Sequence, residues 1–172
     1  VFSTDALKDI IRIAVPSVLQ QSFVSVGNMF IQAMVNSFGS SVIAGYSAAI
    51  KLNTFAITSF STFGNGMSSF TAQNAGAGKS DRIKQGFRSG IIFSLSAAVV
   101  FTAAYLIFGR QLLGLFMNEE STALALETGL DFMRITSPFY AVICVKLLCD
   151  GVLRGSECMN HFMAATFTDL IM

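Results

Sequence analysis

With 172 residues, 53% of them apolar and 12% charged, the chain has too little charge to cover a soluble domain of its size, where about 25% is usual. A net charge of +1 leaves no electrostatic footprint for a nucleic-acid partner, and a mean hydropathy of +0.63 points to lipid. Cys144, Cys149 and Cys158 form no C-x-x-C pair, which argues against a disulfide framework or zinc site and for small apolar fillers.

Uncharged windows organise the chain. They run from Ile13 to Phe38, Leu52 to Gly78 and Ser89 to Gly109. Each offers roughly the 20 residues that a helix needs to cross a bilayer. With their flanks they predict spans over about 10–38, 48–75 and 86–109, and a fourth over 130–153 that is interrupted by Arg134, Lys146 and Asp150. A further apolar segment, 159–172, is too short to span as it stands. Val1 at the start and the apolar run at the end give the expectation that the sequence is part of a longer protein.

The first span is unusually polar for a helix facing lipid. Gln21, Ser25, Asn28 and Gln32 are spaced 4, 3 and 4 apart, which places them on one helical face. An amide turned into hydrocarbon without a partner costs roughly 2–7 kcal/mol, so this face should meet other helices or a watery cavity. The second span repeats the pattern with Thr54, Thr58, Ser61, Asn65 and Ser69. Two such stripes can line one cavity, or they can be hydrogen-bonded glue between helices.

The second span runs into "QNAGAGKS", residues 73–80, which ends like a phosphate-binding loop. That motif needs a first glycine where Gln73 stands, and a strand before it rather than a long uncharged segment. Gly76 and Gly78 read instead as turn glycines between two membrane helices, with Ser80 as cap of the second. Lys79, Arg82, Lys84 and Arg88 then anchor this turn at an anionic lipid surface. Gly86 and Gly90 form a G-x-x-x-G, a weak packing signal with Arg88 between them.

Pro16 and Pro138 fall inside apolar segments and mark sites for kinks. Lys146 and Asp150 are four apart and can pair, although Lys146 reaching toward the cytoplasmic face is the stronger reading. Asp169 stands inside the last apolar segment, where a carboxylate can carry a proton or cation, or pair with a basic residue. If the spans alternate, Lys8, Arg12, Lys79, Arg82, Lys84, Arg88, Lys146 and Arg154 share one side, and Lys51, Arg110 and Arg134 the other. The bias puts the first residues on the cytoplasmic side. The single histidine, with no G-x-S-x-G and no H-E-x-x-H, leaves no catalytic constellation.

"IAVPSVLQQ", "AGYSAAIKLNTFA", "FGNGMSSFTAQNAGAGKSDRIKQGFRSG" and "GVLRGSE" occur in this order. Together they resemble the multidrug and toxic compound extrusion (MATE) family of secondary transporters. The resemblance implies an all-α, polytopic helical membrane bundle forming part of the second six-helix lobe, with the first lobe of the same protein as its partner. It also implies export of small organic cations across the cytoplasmic membrane by alternating access, in exchange for Na+ or H+, with no other cofactor. Gln21, Ser25, Asn28, Gln32, Thr54, Thr58, Ser61 and Asn65 would line the substrate path. Some members carry acidic ion ligands in helices that correspond to the first and fourth spans. Here the first has Gln20 and Gln21, and the middle of the fourth, 135–145, has no carboxylate. Ion coupling by Asp169, or by a carboxylate of the first lobe, is what this departure leaves. The rival expectations are a lipid-linked sugar flippase, disfavoured because the polar faces hold no cation but Lys51, and a membrane scaffold that transports nothing.

Overall fold

The computed structural model describes residues 4–117, 122–156 and 168, and side chains in the first half of the first helix are described only in part. Among the described residues the chain is helical throughout, without strands. Helix α1 covers Thr4–Asn36, α2 Ser40–Gly76 and α3 Ser80–Gly114. Helix α4, Ala123–Thr136, leads through a 3-10 turn at Ser137–Phe139 into α5, Tyr140–Gly155. All four segments start before the predicted spans, and α3 also ends after its own, because charged flanking residues such as Arg82, Lys84 and Arg110 continue the helices; α1 alone ends earlier, at Asn36. Helix α3 and the combined α4–α5 segment are long and apolar enough to cross a membrane. Helices α1 and α2, at 33 and 37 residues, also have the length to cross. This is an all-α membrane bundle.

The interior forms where α2, α3 and α4–α5 meet. Helix α2 packs on α4–α5 through residues without bulk. A Cβ on Gly45 would strike the Ala125 carbonyl, one on Gly64 would come within 2.5 Å of the Leu147 carbonyl, and one on Gly151 would strike Gly64. Such small-residue seams let backbones approach closely, the usual means of association where hydrocarbon surrounds every helix. Matching positions rise together, Gly45 with Ala125 and Gly64 with Gly151, so α2 runs parallel to α4–α5. Helix α3 runs antiparallel to both, with Phe63 against Phe93 and the Ser94 carbonyl near Cys144.

An aromatic cluster of Phe60, Phe101, Tyr105 and Tyr140 joins the three elements, with ring centroids 5.4–6.0 Å apart in edge-on contacts. The two phenols are satisfied: Tyr105 donates to the Leu52 carbonyl at 2.6 Å and Tyr140 to Asn53 Oδ1 at 3.0 Å. Pro138, one of the two kink sites read from the sequence, sits in the 3-10 turn, and Thr102 of α3 donates to the Ser137 carbonyl there at 2.8 Å. Cys144 is a buried filler whose thiol donates to the Ser94 carbonyl at 3.4 Å. Helix α1 stands apart. It passes through Pro16 without a break, packs sparsely on α2, and leaves Phe23, Met29, Phe30 and Met34 exposed.

Candidate functional site

The α2 stripe keeps the register that its spacing predicts. Phe63 and Phe70 turn toward α3, and Phe60, Gly64 and Thr71 toward α5. Thr54, Thr58, Asn65 and Ser69 remain exposed and Ser61 half-buried, on the side of α2 away from α3. Helix α5 extends this polar side. Leu148 and Cys144 face α3, at Gly90 and Ser94. At about 100° per residue, Lys146, Asp150 and Arg154 therefore line the opposite side of α5, one turn apart. Arg154 Nη2 donates to Asn65 Oδ1 at 3.1 Å and ties the two faces together. Lys146 Nζ lies 3.5 Å from Asp150 Oδ2, so the lysine pairs along its own helix instead of reaching only toward an interface.

Sequence reading found the α2 stripe and the Lys146–Asp150 spacing, but not that Arg154 joins them. The signal was present in the four-residue steps 146, 150 and 154. What hid it is that Arg154 closes an apolar segment and reads as an interfacial anchor. The α1 stripe is placed differently. Ser25, Asn28 and Gln32 are exposed, and Gln32 Nε2 donates to Asn36 Oδ1 at 2.9 Å within the same helix. The side chain of Gln21, and Asp169 altogether, lie outside the described residues.

The turn 76–80 is settled by its backbone. Gly78 has φ +68°, a left-handed conformation that favours glycine, while Gly76 ends α2 in regular helix. The Lys79 amide donates to the Asn74 carbonyl at 2.8 Å and the Gly78 amide to Ala75 at 3.0 Å, the Schellman closure of a helix C-terminus. With the Ala77 amide on Gln73, the glycine-rich amides are spent on capping α2, and none is left to cradle a phosphate. Ser80 is not the cap expected of it. It is the first helical residue of α3, the N-cap position is Lys79, and no side chain caps the helix. Lys79, Arg82, Lys84 and Arg88 are exposed, with Lys84 3.5 Å from Asp81.

The described helices thus form a membrane bundle with one dry flank, where α3 packs, and one polar flank of hydroxyls, amides and a paired charge. Such a flank can hydrate, accept and donate hydrogen bonds, and meet a charged solute; nothing in it is arranged as a nucleophile with its base. The chain matches the family model MatE over residues 16–172 and belongs to that family. It is 28% identical over 150 residues to the probable multidrug resistance protein YpnP of Bacillus subtilis (strain 168), covering 87% of this chain and 33% of that protein. A second relative from the same organism, the probable multidrug resistance protein YoeA, is 29% identical over 113 residues, covering 66% of this chain and 24% of its own length. The chain therefore spans a third or less of the curated relatives it matches. No solved structure matches it.

Proposed function

We propose that this chain forms part of the second lobe of a secondary active transporter that exports organic cations across the cytoplasmic membrane in exchange for Na+ or H+. The carrying observation is the polar flank of α2 and α5, held together by the Asn65–Arg154 hydrogen bond in an otherwise apolar bundle. Family membership and relatives named as probable multidrug resistance proteins support export. In this reading Thr54, Thr58, Ser61 and Asn65 line the path from one wall. Gln21, Ser25, Asn28 and Gln32 of α1 line it from another, and the first lobe encloses it. Weak, adaptable hydrogen bonds suit a broad range of cargo, and no covalent chemistry is required of the protein. The basic turn at 79–88 lies in the cytoplasm, as does the start of α1. The coupling ion is carried by Asp169 or by a carboxylate of the first lobe.

Efflux of a fluorescent organic cation, from cells making the full-length protein under an imposed Na+ or H+ gradient, tests the reading. Efflux driven by one gradient is the expected result and names the ion. Gln21→Leu and Asn28→Leu should alter efflux at unchanged protein level. Absence of efflux with either gradient, from protein present in the membrane, would sink it.

A second reading is favoured by one observation. A lipid-linked sugar carries phosphate, and the sequence set it aside for want of cations on the polar faces. Arg154 and Lys146 now stand on that flank. Movement of a pyrophosphate-linked lipid across vesicles containing the protein, with no movement of organic cations, would replace the first reading with this one.

A further inference from the structure

We propose that the crevice between α2 and α3 seats one acyl chain of an anionic phospholipid, with its phosphate at the basic turn formed by Lys79 and Arg82. The crevice is a cavity of about 370 Å³ on the dry flank, away from the polar face. Phe63, Gly66, Phe70, Gly86, Gly90 and Phe93 form most of its wall. Three glycines hollow it: no atom lies within 4 Å of a Cβ built on Gly66, while Phe70 folds over Gly86. No charged residue lines it; of its two hydroxyls, that of Thr62 is already used on the Thr58 carbonyl at 3.0 Å, and that of Ser94 is buried without a partner at the deep end. Small-molecule sites of about 300–1,000 Å³ depend on a few placed polar groups for orientation, and this wall offers almost none. A hydrocarbon chain fits both the volume and the lining.

The depth and the charge agree. Arg82, Gly86, Gly90 and Phe93 follow one another on a single face of α3, so the wall runs straight to the basic turn. From Arg82 to Ser94 at the deep end is 12 residues. That is about 18 Å of helix, close to one leaflet of a hydrocarbon core about 30 Å thick. At the shallow end, Lys84 has Asp81 as its partner, and no described side chain pairs with Lys79 or Arg82. Two unpaired cations at the mouth of a leaflet-deep apolar crevice match a phosphate joined to an acyl chain.

The test is lipid retention by the full-length protein, moved from detergent into bilayer discs of equal phosphatidylglycerol and phosphatidylcholine, then weighed by native mass spectrometry. Retained phosphatidylglycerol should exceed phosphatidylcholine. Lys79→Gln and Arg82→Gln should each lower that preference by ~5-fold. Gly66→Phe, built into open space, should abolish retention of both lipids, and Gly66→Leu repeats the test with a smaller fill. Circular dichroism and a single elution peak establish that each variant is folded. Equal retention of the two lipids, retention indifferent to both Gly66 variants, or displacement of the lipid by inorganic phosphate would overturn the proposal. The readout is binding, so its failure is separate from a failure of the transport reading.

Discussion

The polar stripes of α1 and α2 have the same spacing in the sequence and different surroundings in the fold. The α2 stripe borders α5, and Asn65 holds Arg154 across 89 residues of chain. The α1 stripe stands in the open, with Gln32 bonded to Asn36 four residues on. Periodicity decides which residues share a face; it says nothing about what the face meets. That is decided by the back of the helix. Helix α2 has Gly45, Gly64 and a run of alanines there, so another backbone can come close. Beyond its stripe, helix α1 shows exposed large apolar side chains such as Phe23, Met29, Phe30 and Met34, and no described helix interlocks with it.

The largest effect should come from filling the α2–α5 seam. Gly64→Ala places a Cβ 2.5 Å from the Leu147 carbonyl, a backbone atom that cannot swing aside. Overpacking of this kind costs about 1–3 kcal/mol. The matched change on α1, Gly27→Ala, meets nothing within 4 Å and should be neutral or slightly stabilising through helix propensity. Thermal unfolding of the full-length protein in detergent compares the two. Equal melting temperatures would mean that the seam is not where the fold resists change.

A double-mutant cycle on Asn65 and Arg154 sharpens the comparison next. Each single change, Asn65→Leu or Arg154→Gln, should alter cation efflux. Their combination should fall short of additivity by roughly 0.5–3 kcal/mol, as for groups in direct contact. Strict additivity would show that the bond plays no part in the working protein. Cysteines placed at Ser25 and Ser61 probe the same contrast through water. A membrane-impermeant thiol reagent should label both, more slowly at half-buried Ser61. A dry Ser61 would favour fully paired helical glue and the scaffold reading.

Much of this was legible in the sequence for a physical reason. Long uncharged windows leave few choices but membrane helices, and "NAGAGKS" could be read as a turn because glycine takes a positive φ, such as the +68° found at Gly78, at least cost. The residue that ends a helix was harder to read. Ser80 looked like a cap, but the Schellman closure of α2 consumes the turn, and α3 starts one residue past Lys79 without side-chain help. The Asn65–Arg154 contact was hidden because it needs the register between two helices, which the Gly64–Gly151 approach sets and periodicity does not contain. The same holds for Gly86 and Gly90, a faint packing motif in the sequence and the wall of a cavity in the fold.

The smallest expected effect lies on the dry flank, and it tests how dry that flank is. Ser94 is 1% exposed, and its hydroxyl has no hydrogen-bond partner. Its backbone carbonyl is engaged by the Cys144 thiol, but that leaves the side chain unpaired. A buried donor without an acceptor costs about 1–3 kcal/mol, part of which the hydroxyl recovers by rotating toward its own helix. Ser94→Ala removes the donor at nearly constant volume and adds a better helix former. It should therefore raise stability slightly, by less than about 1 kcal/mol, and leave efflux unchanged. Asn65→Ala, an equally modest truncation on the polar flank, should do the reverse: little change in melting and a measurable change in transport. A loss of stability in Ser94→Ala would mean that its hydroxyl has a partner in the working protein, and that the α2–α3 side holds water or a ligand atom at its deep end.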